Sequence, residues 1–151
     1  MILSATTNTH CDPATAFAFI AEGENNGRFE REVTSIRRLT DGPTRVGTRY
    51  AVTRRFWGIS TTAEVEVATL EPPRRYVQVS RLGPVPVSGM IEIDEVDGRT
   101  RIASTLSVET RGFGRLLNPL FRRILTPPHR ANAATLGRLL DEVANRHGDM
   151  S

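Results

Sequence analysis

Lysine is missing from this chain of 151 residues: all 20 basic side chains are arginine, and 17 acidic residues leave a net charge of +3. With one Cys and two Tyr, little titrates above neutrality. A small arginine excess then holds the charge positive to high pH and lifts the pI to 9.9. That pI overstates any case for nucleic acid, and no nucleic-acid partner is expected. The single cysteine, Cys11, excludes an intrachain disulfide, and a free thiol fits a reducing compartment. The longest apolar run, Ala16 to Ala21, falls far short of the ~20 residues that a membrane span needs, so no stable membrane insertion is expected. The first residues, Met1 to Thr6, carry neither a basic n-region nor a long apolar stretch, and a cytoplasmic location is expected. Zinc-site spacing is absent among His10, His129 and His147, so no metal is expected. Nucleophile-elbow, phosphate-cradling and dinucleotide glycine motifs are missing too, and no cofactor is expected.

What is present is an ordinary balance, 38% apolar and 25% charged, enough for one core without staples. One domain over residues 1–148 is expected, with a disordered tail at 149–151. Residues 2–10 read as a strand. Asp12-Pro13 starts a helix: Asp is a good N-cap, and Pro suits the first helical position because its missing N–H has no partner there. Gly23 ends this helix, and a second short one is expected over 24–31. Strands follow over 33–40, 47–57, 59–70, 75–82, 85–96 and 100–110. They are parted by Asp41-Gly42-Pro43, Gly58, Glu71-Pro72-Pro73, Gly83-Pro84 and Asp97-Gly98, the last a tight-hairpin signal. Alternation in 59–70 and 100–110 makes one sheet face apolar and the other wet. Gly112 and Gly114 close the sheet. The helical remainder is expected to break at Pro119 and at Pro127-Pro128, with Thr126 capping the last segment. There Ala133, Leu136, Leu140 and Val143 form one apolar stripe, and this long helix is the element able to cover the sheet.

That order and its punctuation resemble the START-like (SRPBCC) superfamily, and within it the polyketide cyclase/dehydrase and lipid-transport group. The resemblance is carried by Leu39 to Pro43 with Val46 to Tyr50, by Glu71 to Tyr76, by Gly98 to Ile102, and by Gly114 to Leu120 through Leu136 to Leu140. It departs where that group often has tryptophans in its second helix; here Asn26, Gly27 and Phe29 stand. The resemblance implies an α+β helix-grip fold, in which about seven antiparallel strands curve around a long C-terminal helix. It also implies a small hydrophobic ligand, lipid or polyketide-like, in the cavity between them. The group spans carriers, receptors, aromatase/cyclases and partner-binding modules, and fold does not choose among them.

A carrier or sensor heads the functional reading. A cyclase or aromatase using the same cavity is the first alternative, and a protein- or RNA-binding module with a basic surface the second; a homodimer stays open. Candidate lining residues are Phe29, Tyr50, Val52, Arg54, Phe56, Val65, Val67, Val87, Gly89, Ile91, Phe121 and Leu125. Apolar burial would supply affinity, and Arg54 or Tyr50 orientation; in a cyclase Arg54 would steady an enolate and Tyr50 donate a proton. Alternation turns Arg54 inward with Tyr50, Val52 and Phe56, away from Trp57. An inward arginine must be paired or meet a polar ligand, unless its stem packs at the rim and its head stays in water. Gly89 either leaves room for a ligand or lets the sheet coil. The pairs Glu64/Glu66 and Glu92/Asp94 alternate with apolar residues and are expected on the wet face. His129 is expected to cap or lie at the surface, and His147 to be solvated. The basic amphipathic segment 116–125 reads as rim packing, as a lid gating the cavity, or as a short membrane contact.

Overall fold

The computed structural model describes residues 1–56, 58–82 and 84–149. The expectations for Trp57, for Gly83 in its turn, for the His147 side chain and for Met150 and Ser151 lie outside the described residues. Seven strands form one antiparallel sheet: β1 (Ile2–Thr9), β2 (Val33–Arg38), β3 (Arg49–Phe56), β4 (Ile59–Glu71), β5 (Arg75–Leu82), β6 (Val85–Val96) and β7 (Arg99–Val108). Their order is β1-β7-β6-β5-β4-β3-β2. Irregular registers between Val33 and Ser35 and between Val67 and Thr69 mark β-bulges, which bend and twist a strand. The β6–β7 turn has positive φ at both Asp97 and Gly98, the backbone a two-residue primed hairpin requires.

Helix α1 (Pro13–Ala21) begins as its sequence foretells, with the Asp12 carboxylate accepting from the Thr15 amide and Pro in the first turn. A 3₁₀ turn over Gly23–Asn25 leads into α2 (Asn26–Phe29). Another 3₁₀ stretch, Gly112–Leu117, leads into the long helix α3 (Asn118–Asp149). Here the structure corrects the expected breaks. Pro119 sits in the first turn, where a missing N–H costs nothing, and α3 runs unbroken through Pro127 and Pro128. Thr126 caps nothing: its buried hydroxyl has no hydrogen-bond partner. This is the helix-grip arrangement.

The two halves of the concave space differ. One is packed solid. Phe17 and Ile20 of α1 meet Tyr50, Val67, Tyr76 and Ile93 of the sheet, with Leu136 and Leu140 of α3 closing the cluster. Each such fully buried side chain contributes on the order of 1.5–3 kcal/mol. Of the expected stripe, Ala133, Leu136 and Leu140 are buried and Val143 is half-buried. Gly137 lets α3 lie directly on β1, since a Cβ there would collide with the Thr7 hydroxyl. Cys11 is buried with its thiol free, and burial first, then Asp12 and Asp141, pushes its pKa up to about 11. The carboxylates Glu64, Glu66, Glu92 and Asp94 are on the wet face as expected.

Candidate functional site

The other half of the concave space is hollow. A cavity of about 300 Å³ opens between the sheet and α3. Its floor is the C-terminal end of β3, the start of β4, β5, the start of β6 and β7 from Ile102 to Val108. Its walls are α2 and the stretch of α3 from Leu125 to Leu136. Of the residues expected to line it, Phe29, Val52, Arg54, Phe56, Val65, Val87, Gly89, Ile91 and Leu125 do so. Tyr50, Val67 and Phe121, also expected there, are not among its lining residues.

The reason is position along each element. Tyr50 and Val67 have the inward direction that alternation implies, but they stand toward the filled end of their strands. Tyr50 is 1% exposed, and its hydroxyl accepts from the Gly23 amide at 3.3 Å and from Arg38 at 3.1 Å. A Cβ on Gly23 would overlap the Tyr50 ring, so the pair is locked. Both bonds are accepted, so what separates this hydroxyl from a ligand in the cavity is its burial in the packed half, outside the lining. Phe121 lies one helical turn before Leu125, beyond the lined stretch of α3. Gly89 answers the question its sequence leaves open: nothing stands within 4 Å of where its Cβ would be. Its missing side chain is space.

Most of the lining is apolar, with a few polar groups set among it. Arg54 faces inward and pairs with Glu30 at 3.2 Å, with both side chains largely covered. Burial pushes the Glu30 carboxyl above its ordinary range; the charge and hydrogen bond of Arg54 pull the other way but do not win. Asn132 of α3 donates to both carboxylate oxygens of Glu32 at 3.0 Å and accepts from the Arg31 amide at 3.2 Å. This clamp ties the chain leaving α2 to α3 across the cavity. His129 lines the cavity, against the expected cap or surface position, and meets the Ser104 carbonyl at 3.2 Å. That bond requires the proton on Nε2, because a carbonyl only accepts. Gln78 donates to the Tyr76 hydroxyl at 2.6 Å, and burial pushes the Tyr76 phenol upward.

Glu30, Glu32, Asn132, His129 and Gln78 escape a sequence reading built on apolar alternation. One signal was available. An inward arginine demands an acid, and Glu30 and Glu32 immediately precede β2, whose Val33 stands opposite Arg54. Among the described residues no group of His, Cys, Asp or Glu is arranged to hold a metal ion. No helix among them is long and apolar enough to cross a membrane.

No family model and no curated protein matches the chain. Solved structures do. TTHA0849 from Thermus thermophilus superposes with a TM-score of 0.76 at 17% identity, over 93% of this chain and 97% of that one. The Zhui aromatase/cyclase from Streptomyces sp. R1128 gives 0.76 at 11% identity, over 93% of both chains. Ara h 8.0201 gives 0.70 at 17% identity, over 93% of this chain and 97% of that one. The fold is therefore the helix grip, shared with these structures. Identities this low carry the fold alone.

Proposed function

We propose that this protein binds a small, mostly apolar molecule in the cavity between its sheet and α3, as a carrier or sensor. The observation that supports it most is the half-empty core: about 300 Å³ of lined space beside a packed half of the same sheet. That volume is at the small end of ligand pockets, which are apolar with a few placed polar groups. The ligand's apolar body would lie over Val52, Val87, Ile91 and Leu106. A hydrogen-bonding end would meet either the Glu30–Arg54 pair or His129. Because Arg54 is already paired, the ligand need carry no charge.

The test is native mass spectrometry of the purified protein, followed by titration with a hydrophobic fluorescent probe. A retained apolar molecule or saturable probe binding is expected. Val87→Arg, which puts a charge into the lining without touching the packed half, should abolish it while the circular dichroism spectrum is kept. Probe binding that Val87→Arg leaves intact would place the ligand elsewhere.

The cyclase reading rests on a separate observation, a carboxyl with a raised pKa beside a guanidinium in the cavity wall. That pairing suits proton transfer next to a developing oxyanion. The fold is shared with aromatase/cyclases. Glu30→Gln separates the two readings. A carrier keeps its ligand, whereas a cyclase offered a poly-β-keto substrate loses turnover and keeps binding.

A further inference from the structure

From Thr110 to Leu140 the chain has six arginines and no Asp or Glu. The first part of this stretch also holds three exposed leucines close together. Leu116 is 77% exposed, Leu117 47% and Leu120 49%. Exposed Arg115, Arg122 and Arg123 flank them, and no carboxylate among the described residues forms an ion pair with any of the three. Arg111, 86% exposed, reaches only Glu109 at 4.0 Å. Single exposed leucines are ordinary; three together, ringed by unpaired cations, are not.

We propose that residues 111–123 are a docking surface for an anionic lipid bilayer. Leu120 stands four residues after Leu116 and three after Leu117, across the junction of the 3₁₀ stretch and α3, so it neighbours both and the three form one exposed patch. A fluid acyl layer accepts such projecting side chains without a shaped groove, and burial of their methylenes favours insertion. Arginine stems lie along the apolar boundary while their heads reach phosphate, bidentately where geometry allows. The face is too short to span, so docking is peripheral and reversible. A protein partner would need complementary walls around Leu116, and a side chain that open offers none. The surface adjoins the cavity, since Leu125 on the next turn of α3 is part of the lining. Docking itself does not depend on what the cavity holds.

The test is flotation of the intact protein with vesicles of phosphatidylglycerol and phosphatidylcholine in equal parts, against phosphatidylcholine alone. Binding to the anionic vesicles is expected, weaker by on the order of tenfold or more without phosphatidylglycerol and falling steeply with salt. Two variants carry the argument: Leu116→Ser with Leu117→Ser and Leu120→Ser, and Arg115→Gln with Arg122→Gln and Arg123→Gln. Both should lose about tenfold or more while their melting temperatures hold, because the side chains are exposed. Failure to float, equal binding to neutral vesicles, or variants that still bind would each overturn the proposal. Soluble poly-glutamate bound as tightly as the vesicles would overturn it in favour of an acidic protein partner.

Discussion

Asp141 shows how one side chain can hold α3 to the far edge of the sheet. Its Oδ1 accepts from the Thr9 hydroxyl at 2.6 Å and from the His10 amide at 2.8 Å, both at the end of β1. Partial burial alone would push its carboxyl up. The Thr9 and His10 hydrogen bonds, with the charges of His10 and Arg99, outweigh that and hold it below its ordinary value. A carboxylate depressed in the native state stabilises fully above its unfolded pKa of about 3.9, and loses that contribution as pH falls through the lower native value. Asp141→Ala removes both bonds and should cost roughly 1–3 kcal/mol at neutral pH. In urea melts, the gap between parent and variant should narrow as the pH drops from about 4 towards 2. A gap that is constant with pH would mean that packing, not the charged acceptor, holds the helix.

Along whole elements, the strands were the most legible part of the sequence. Their Gly, Pro and Asp punctuation sets turns whose backbone few other residues adopt, and alternation then assigns the faces. The second half of the molecule was harder for a physical reason. Proline in a helix interior is expected to break it, yet α3 carries Pro127 and Pro128 without a break. Local propensity yields to tertiary packing here, because the helix on either side is already committed: Leu125 to the cavity, Leu136 and Leu140 to the core. The cost persists in the hydrogen bonds. Two missing amides leave the carbonyls of Arg123 and Ile124 without their i+4 donors. The turns before the prolines are thus weakly tied along the helix, and Leu120 there is half exposed. Hydrogen exchange should show amides of 120–126 exchanging at least about tenfold faster than those of 133–143. A ligand that fills the cavity should slow the first group. Equal protection in the two segments would show α3 to be one rigid rod and remove the lid from consideration.

At the scale of the whole molecule, the site was half legible. Apolar alternation identifies the face of each strand but not where along the strand the space beneath it ends. That is why Val52 and Val65 line the cavity while Tyr50 and Val67, on the same faces, are sealed into the packed half. Where the hollow stops depends on α1, which fills one end with Phe17 and Ile20, and no periodicity within β3 or β4 records it. A fold that leaves part of its core empty forgoes the dispersion and burial that filling would supply. Gly89 tests this trade directly. It sits mid-strand in β6, where glycine costs about 0.5–1 kcal/mol relative to alanine, and its φ is not positive. Its Cβ direction is open, and its neighbours across the sheet, Gln78 and Leu106, line the cavity. Gly89→Leu should therefore extend into the hollow with no backbone to displace. The ligand-free variant is expected to melt a few degrees higher than the parent, consistent with about 1 kcal/mol gained. The same variant should lose the rise in melting temperature that an apolar ligand gives the parent, a rise of RT ln(1 + [L]/Kd) in stability. Differential scanning fluorimetry with and without ligand reads both effects in one experiment. A lower ligand-free melting temperature together with an undiminished ligand shift would show that the space over Gly89 is neither empty nor used, and the cavity would lose its claim to be the site.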